Sequence, residues 1–124
     1  MNTDKEFVPY QPSLDMKELG FDGECFGLYH NDKTFYPTQC KSHEQFHGQI
    51  CSAPTFSQAF RWFREKHGLE GVPQRANDWI WYKWIIYRYN ENGKKYVADW
   101  YEYKTYEEAE LACLIFLIEI VKNK

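Results

Sequence analysis

The chain has little excess charge of either sign. Its 124 residues carry 15 Lys and Arg against 18 Asp and Glu, a net charge of −3, with a pI of about 5.8. A protein that coats nucleic acid needs a basic surplus to displace counterions from phosphates, so that class is excluded for the chain as a whole. Long hydrophobic runs are missing too. The longest extends from Leu111 to Ile118, well short of the roughly 18–20 residues of a membrane-spanning helix, and no membrane partner is expected. The opening stretch Met1-Asn2-Thr3-Asp4-Lys5-Glu6 has neither the basic start nor the apolar centre of a secretory signal, and no lipidation motif. Cysteine is sparse. Cys25, Cys40, Cys51 and Cys113 form no CxxC pair, so no redox motif is read. With no export signal, reduced thiols and a cytoplasmic location are expected. A glycine-rich phosphate loop and a G-x-S-x-G elbow are also lacking.

Aromatic rings are plentiful, with 5 Trp, 10 Tyr and 9 Phe making up 19% of the chain. Hydrophobic residues reach 44% and charged residues 27%, the balance of a folded chain rather than a disordered one. The mean hydropathy of −0.72 reflects a scale that counts Tyr and Trp as polar although both bury well. The length predicts one α+β domain over residues 1–124. Residues 1–8 read as a flexible lead, and 37–54 as a long irregular segment without periodicity.

Three helices are expected from their end signals. The first spans roughly Pro12 to Leu19, with a stop at Gly20-Phe21. The second is capped by Thr55, with Gln58 completing a capping box, and stops at Gly68-Leu69. Phe56, Ala59, Phe60, Phe63 and His67 line one face, and His67 reads as a packed core-edge residue. The third is capped by Thr105, with Glu108 at the matching position. Its apolar residues form two stripes. One contains Tyr106, Ala109, Cys113, Phe116, Leu117 and Ile120, and the other Leu111, Leu114, Ile115 and Ile118. Apolar on nearly all sides, this helix is expected either to lie centrally or to meet a second subunit through its second stripe. Cys113 within it reads as a small hydrophobe.

Two hairpins supply the strands. The stronger joins 79–90 to 96–103 through Asn92-Gly93, the preferred pair for a type I′ turn. That turn predicts a register pairing Tyr87 with Ala98, Trp84 with Tyr101, Lys83 with Glu102 and Tyr82 with Tyr103. The weaker runs from 24–30 to 34–36. The order is α-β-β-α-β-β-α, which predicts an antiparallel sheet of about four strands with helices packed on it.

Two constellations could carry chemistry. His43-Glu44-Gln45-Phe46-His47 is a literal H-E-x-x-H string, with Cys40 and Cys51 flanking it. In zinc hydrolases two histidines one helical turn apart hold the metal, and the glutamate activates its water. Zinc is thus the one cofactor to consider, on His43, His47 and Cys40. Against it, the metzincin extension is absent, with Ile50 and Ala53 where Gly and His belong. On a single helix Cys40 and Cys51 would stand about 16 Å apart, too far to share one ion. The second constellation is the aromatic hairpin with its basic neighbours: Arg61, Arg64, Trp81, Lys83, Trp84, Tyr87, Arg88 and Trp100. Residues 55–104 hold 9 Lys and Arg against 6 Asp and Glu, and exposed rings beside cations can stack bases.

Several longer strings resemble one another's counterparts in a known group. They are Phe7-Val8-Pro9-Tyr10, Met16-Lys17-Glu18-Leu19-Gly20-Phe21-Asp22, Cys25-Phe26-Gly27, the run from Ala53 to Lys66, the run from Thr105 to Leu114, and Leu117-Ile118-Glu119-Ile120-Val121. Together they resemble a family of small uncharacterised proteins from Bacteroides-type bacteria, their phages and integrated mobile elements. The resemblance implies a mobile-element origin and a cytoplasmic location. It implies no activity, and the H-E-x-x-H string lies outside it. The leading expectation is therefore a non-enzymatic phage- or prophage-type accessory protein that binds another protein or a second copy of itself. The alternatives are a nucleotide or single-stranded nucleic-acid binder using the aromatic hairpin, and a small zinc hydrolase.

Overall fold

Side-chain caps and glycine stops fix the helix ends in the computed structural model, which describes residues 6–30, 32–37, 50–78 and 80–123. Helix α1 (Tyr10–Glu18) follows Pro9 without a side-chain cap, two residues earlier than the sequence suggests. It ends in a two-bond glycine motif. The Gly20 N–H donates to the Lys17 carbonyl and the Phe21 N–H to that of Met16, with Gly20 at φ +104°. Helix α2 (Phe56–His67) has the full reciprocal box: Thr55 Oγ1 accepts the Gln58 N–H at 3.2 Å, and Gln58 Oε1 accepts the Thr55 N–H at 2.9 Å. Gly68, at φ +64°, closes it by donating to the Arg64 carbonyl. Helix α3 (Tyr106–Lys122) is capped by Thr105 Oγ1, which accepts the Glu108 N–H at 3.1 Å. The Glu108 carboxylate reaches back one residue further than expected, to the Lys104 N–H at 3.3 Å.

The chain divides into two compact units, one ending at Ala59 and the other starting at Phe60. The single four-stranded sheet of the sequence reading is replaced by two three-stranded antiparallel sheets, because each hairpin acquires a third strand of its own. In the first unit β1 (Leu28–His30) pairs with β2 (Phe35–Tyr36), which is the weaker hairpin as expected, and also with β3 (Ile50–Ser52). Strand β3 comes from the segment read as irregular. Residues 7 and 8, read as part of the flexible lead, are tied down: Phe7 bridges Thr55, and the Val8 N–H donates to the Pro54 carbonyl at 2.8 Å. The core here is Tyr29, Cys51 and Ala53, with Phe7, Tyr10, Leu14 and Phe35 packed against it. The Val8 carbonyl accepts from Tyr29 Oη at 2.8 Å and from Ser13 Oγ at 3.0 Å, which satisfies two buried hydroxyls.

In the second unit β4 (Leu69–Arg75), β5 (Tyr82–Asn90) and β6 (Gly93–Tyr103) pair in chain order. The β5–β6 hairpin forms in a different register. Its turn is Glu91-Asn92, with Asn90 opposite Gly93. Asn90 Oδ1 accepts the Asn92 N–H at 2.8 Å, and Gly93 alone takes a positive φ, +106°. A type I′ turn needs two such residues, so the expected turn fails. Bulges at Val97 and Glu102 then shift the pairing twice. Tyr87 meets Tyr96, Trp84 meets Trp100, and Lys83 meets Tyr101; of the expected pairs, Tyr82–Tyr103 survives. Glu102 is itself an extra residue at φ +85°, so it does not face Lys83.

Helix α3 packs over β4 and β5. Its buried stripe is Ala109, Cys113, Leu114, Leu117 and Ile118, drawn from both expected stripes. The contact is close at Gly71 of β4, where an added Cβ would meet Cys113 Sγ at 2.6 Å. Ile86 and Trp84 of β5 are buried on the same side, and Phe116 stacks near Trp84 with centroids 5.0 Å apart.

Candidate functional site

The geometry of β4–β6 sorts the candidate residues onto two faces. Gly71 and its partner Ile86 face α3, so alternation along the strands places Trp84 and Arg88 of β5 and Trp100 of β6 on the helix side. Lys83, Ile85, Tyr87 and Tyr89 of β5 lie on the other face, with Glu70 and Val72 of β4 and Lys94, Tyr96, Asp99 and Tyr101 of β6. The eight residues of the aromatic constellation therefore do not form one surface. Trp84 is buried, and its indole N–H donates to Tyr103 Oη at 3.0 Å. Trp81 is half-buried before β5, where its carbonyl accepts the Ala76 N–H. Arg61 and Arg64 project from the exposed side of α2, and Arg61 Nε is held by Glu65 Oε1 at 2.7 Å. That bond lowers the Glu65 carboxyl pKa and raises that of Arg61.

The face away from α3 carries its own network. Tyr89 Oη donates to Glu70 Oε1 at 3.0 Å, and Tyr96 Oη to Asp99 Oδ1 at 2.8 Å. Each bond raises the pKa of the tyrosine concerned, because the carboxylate favours the protonated phenol. Lys94 Nζ lies over the Tyr87 ring, 4.1 Å from its centroid. Two lysines and two carboxylates leave this face without net charge, which does not suit a phosphate-tracking platform. Its rings remain open to solvent: Tyr89 is 45% exposed, Tyr96 57% and Tyr101 53%. Tyr89, Tyr96 and Tyr101 are not among the expected site residues; the expected register sets Tyr101 on the face of Trp84, and the bulge at Val97 turns it to the other. At the end of this face Ala76, Asn77, Asp78, Lys83 and Tyr101 line a hollow of about 270 Å³. Asp78 Oδ1 is engaged there in accepting the N–H groups of Ile80 and Trp81.

Of the proposed subunit contact on α3, Leu114 and Ile118 are buried within the chain, Leu111 is half-buried and Ile115 is 44% exposed. The H-E-x-x-H string with His43 and His47, and Cys40, lie outside the described residues. Among the described residues no three His, Cys, Asp or Glu side chains gather as a metal site, and no helix is long and apolar enough to cross a membrane. Cys25, Cys51 and Cys113 are buried. Burial pushes the Cys113 thiol up to about 12, so it is inert as a nucleophile at neutral pH. His67 sits half-buried among rings, 4.9 Å from Trp62 and 5.9 Å from Phe63, a packing position. No protein-family model, curated protein or solved structure matches the chain.

Proposed function

We propose that this chain is a non-enzymatic binding protein of the phage- or mobile-element accessory type, acting in the cytoplasm through protein–protein contact. The observation that carries the reading is the face of β4–β6 turned away from α3, where Tyr89, Tyr96 and Tyr101 are exposed beside balanced charges. Tyrosine-rich patches without a dominant charge are the composition of protein interfaces. Tyr–carboxylate bonds hold two of the rings, which lowers the entropy lost on docking. The hollow at Lys83 and Tyr101 would receive one side chain of a partner.

The nucleic-acid reading is weaker on the same ground. Its basic residues are divided between two faces and α2, and Lys94 already occupies the Tyr87 ring. The test is a photo-crosslinking amino acid at Tyr89, with exposed Ser57 of α2 as control, in cells that make the chain natively. A discrete protein adduct at 89 and none at 57 is expected. Equal adducts at both positions, or an adduct to nucleic acid alone, would overturn the reading.

A further inference from the structure

We propose that a second copy of this chain adds to the outer edge of β6, joining two three-stranded sheets into one antiparallel sheet of six. β6 is the edge strand of its sheet and runs for eleven residues. Its rings are exposed on both faces. Trp100 on the helix side is 56% exposed, while Tyr96 and Tyr101 are exposed on the other. The Trp100 and Tyr101 rings lean toward each other, with centroids 6.1 Å apart, so they converge beside the strand rather than lying flat on either face. A strand laid alongside covers both, because cross-strand neighbours stand about 5 Å apart on each face.

Charge selects the occupant. Lysine is the usual guard of an open edge, but here Lys94 and Lys95 occupy only the first part of β6, and Asp99 and Glu102 the later part. An antiparallel copy of the same strand sets the basic part of each against the acidic part of the other. A two-fold axis at Ala98, with the Val97 bulge taken as one step, places Trp100 opposite Lys95 on the helix side. On the other face it places Tyr101 opposite Lys94 and Asp99 opposite Tyr96. Each of these pairs keeps to one face, and two of them set a ring against a cation. Ala98 on the axis leaves room for the backbones to approach. Assembly stops at two copies because both use the same edge. The opposite edge, β4, contains Pro73, which lacks an N–H to donate.

This deepens the protein-contact reading and takes only the class of partner from it; it uses a strand edge, where that reading uses a sheet face. Sedimentation of the full chain over roughly 5–200 µM should show a reversible dimer of micromolar Kd, since one added strand buries less than the about 800 Å² per partner of a standard interface. Lys94→Glu with Lys95→Glu should weaken association about tenfold, and adding Asp99→Lys with Glu102→Lys should restore it in part, recovering the opposed charge of the two strands but not the ring–cation pairs. In a Cys40→Ser background, Ala98→Cys should oxidise to a covalent dimer, and Glu91→Cys in the turn should not. A monomer at every concentration, with native circular dichroism, would sink the proposal. So would a dimer indifferent to the charge changes that crosslinks no better at 98 than at 91. A Tyr89 adduct to another protein alongside a strict monomer would leave the protein-contact reading standing and remove this one.

Discussion

Gly71→Ala probes the close contact between β4 and α3 with a single carbon. The new Cβ would lie 2.6 Å from Cys113 Sγ, 3.0 Å from Phe60 Cε1 and 3.1 Å from Leu117 Cδ1. Phe60 and Leu117 meet it with side-chain tips that can rotate. Cys113 is a short side chain on a buried helical turn, so its Sγ must swing to another rotamer or α3 must lift from the sheet. Overpacking of this kind costs about 1–3 kcal/mol. The lost freedom of the unfolded glycine offsets about 0.4–1 kcal/mol, leaving a net destabilisation of about 1–2 kcal/mol. All five tryptophans (62, 79, 81, 84 and 100) lie after Phe60, so urea unfolding followed by Trp fluorescence reports on this unit. Gly71→Ala should lower the midpoint without changing the slope. Cys113→Ala alone should also destabilise, by leaving a small void. Combined, the two should be less harmful than their sum by about 1 kcal/mol or more, since each corrects the other's volume error. Strict additivity, or a Gly71→Ala protein as stable as its parent, would refute the contact as the reason for glycine here.

Further outcomes follow from other elements. The Cys113 thiol is raised from its usual 9.0 to about 12 in the folded chain, so its contribution is intact below pH 9 and lost as pH rises above it. Thermal melts should fall from pH 9 upward at up to about 1.4 kcal/mol per pH unit, and Cys113→Ala should flatten that limb. Glu102→Gly should stabilise by roughly 1 kcal/mol, because a non-glycine residue at φ +85° is strained; a lower melting temperature would count against that account. Thr105→Ala removes the α3 cap and should cost about 1 kcal/mol in chemical denaturation, whereas Ser57→Ala, on the exposed side of α2, should cost almost nothing.

Features that depend on a few adjacent residues were legible. Thr55–Gln58, Thr105–Glu108 and the glycine stops at 20 and 68 act within one turn of helix, and each stands where its residues point. The weaker hairpin forms for the same reason. Strand β4 was hidden because Gly71 and Pro73 interrupt any strand signal; its pairing with β5 supplies what its own residues do not. Strand β3 was hidden by brevity. The register of β5–β6 went astray at Asn90, whose side chain holds a turn one residue earlier than Asn92-Gly93 would set it. The candidate site inherited that error. The expected register already sets rings on both faces of the hairpin; the bulge at Val97, which no periodicity announces, is what parts Tyr101 from Trp84 and brings Trp100 to its side.

The bulges of β6 also bear on how this strand can change over generations. Eleven residues of β6 run beside nine of β5, and the surplus is Val97 and Glu102. A residue lost from the middle of an ordinary strand turns every later side chain to the wrong face. Loss of a bulge residue leaves the pairs on either side of it in place. The hairpin thus has slack in length as well as in sequence, and single-codon deletions at positions 97 and 102 are the ones it should survive.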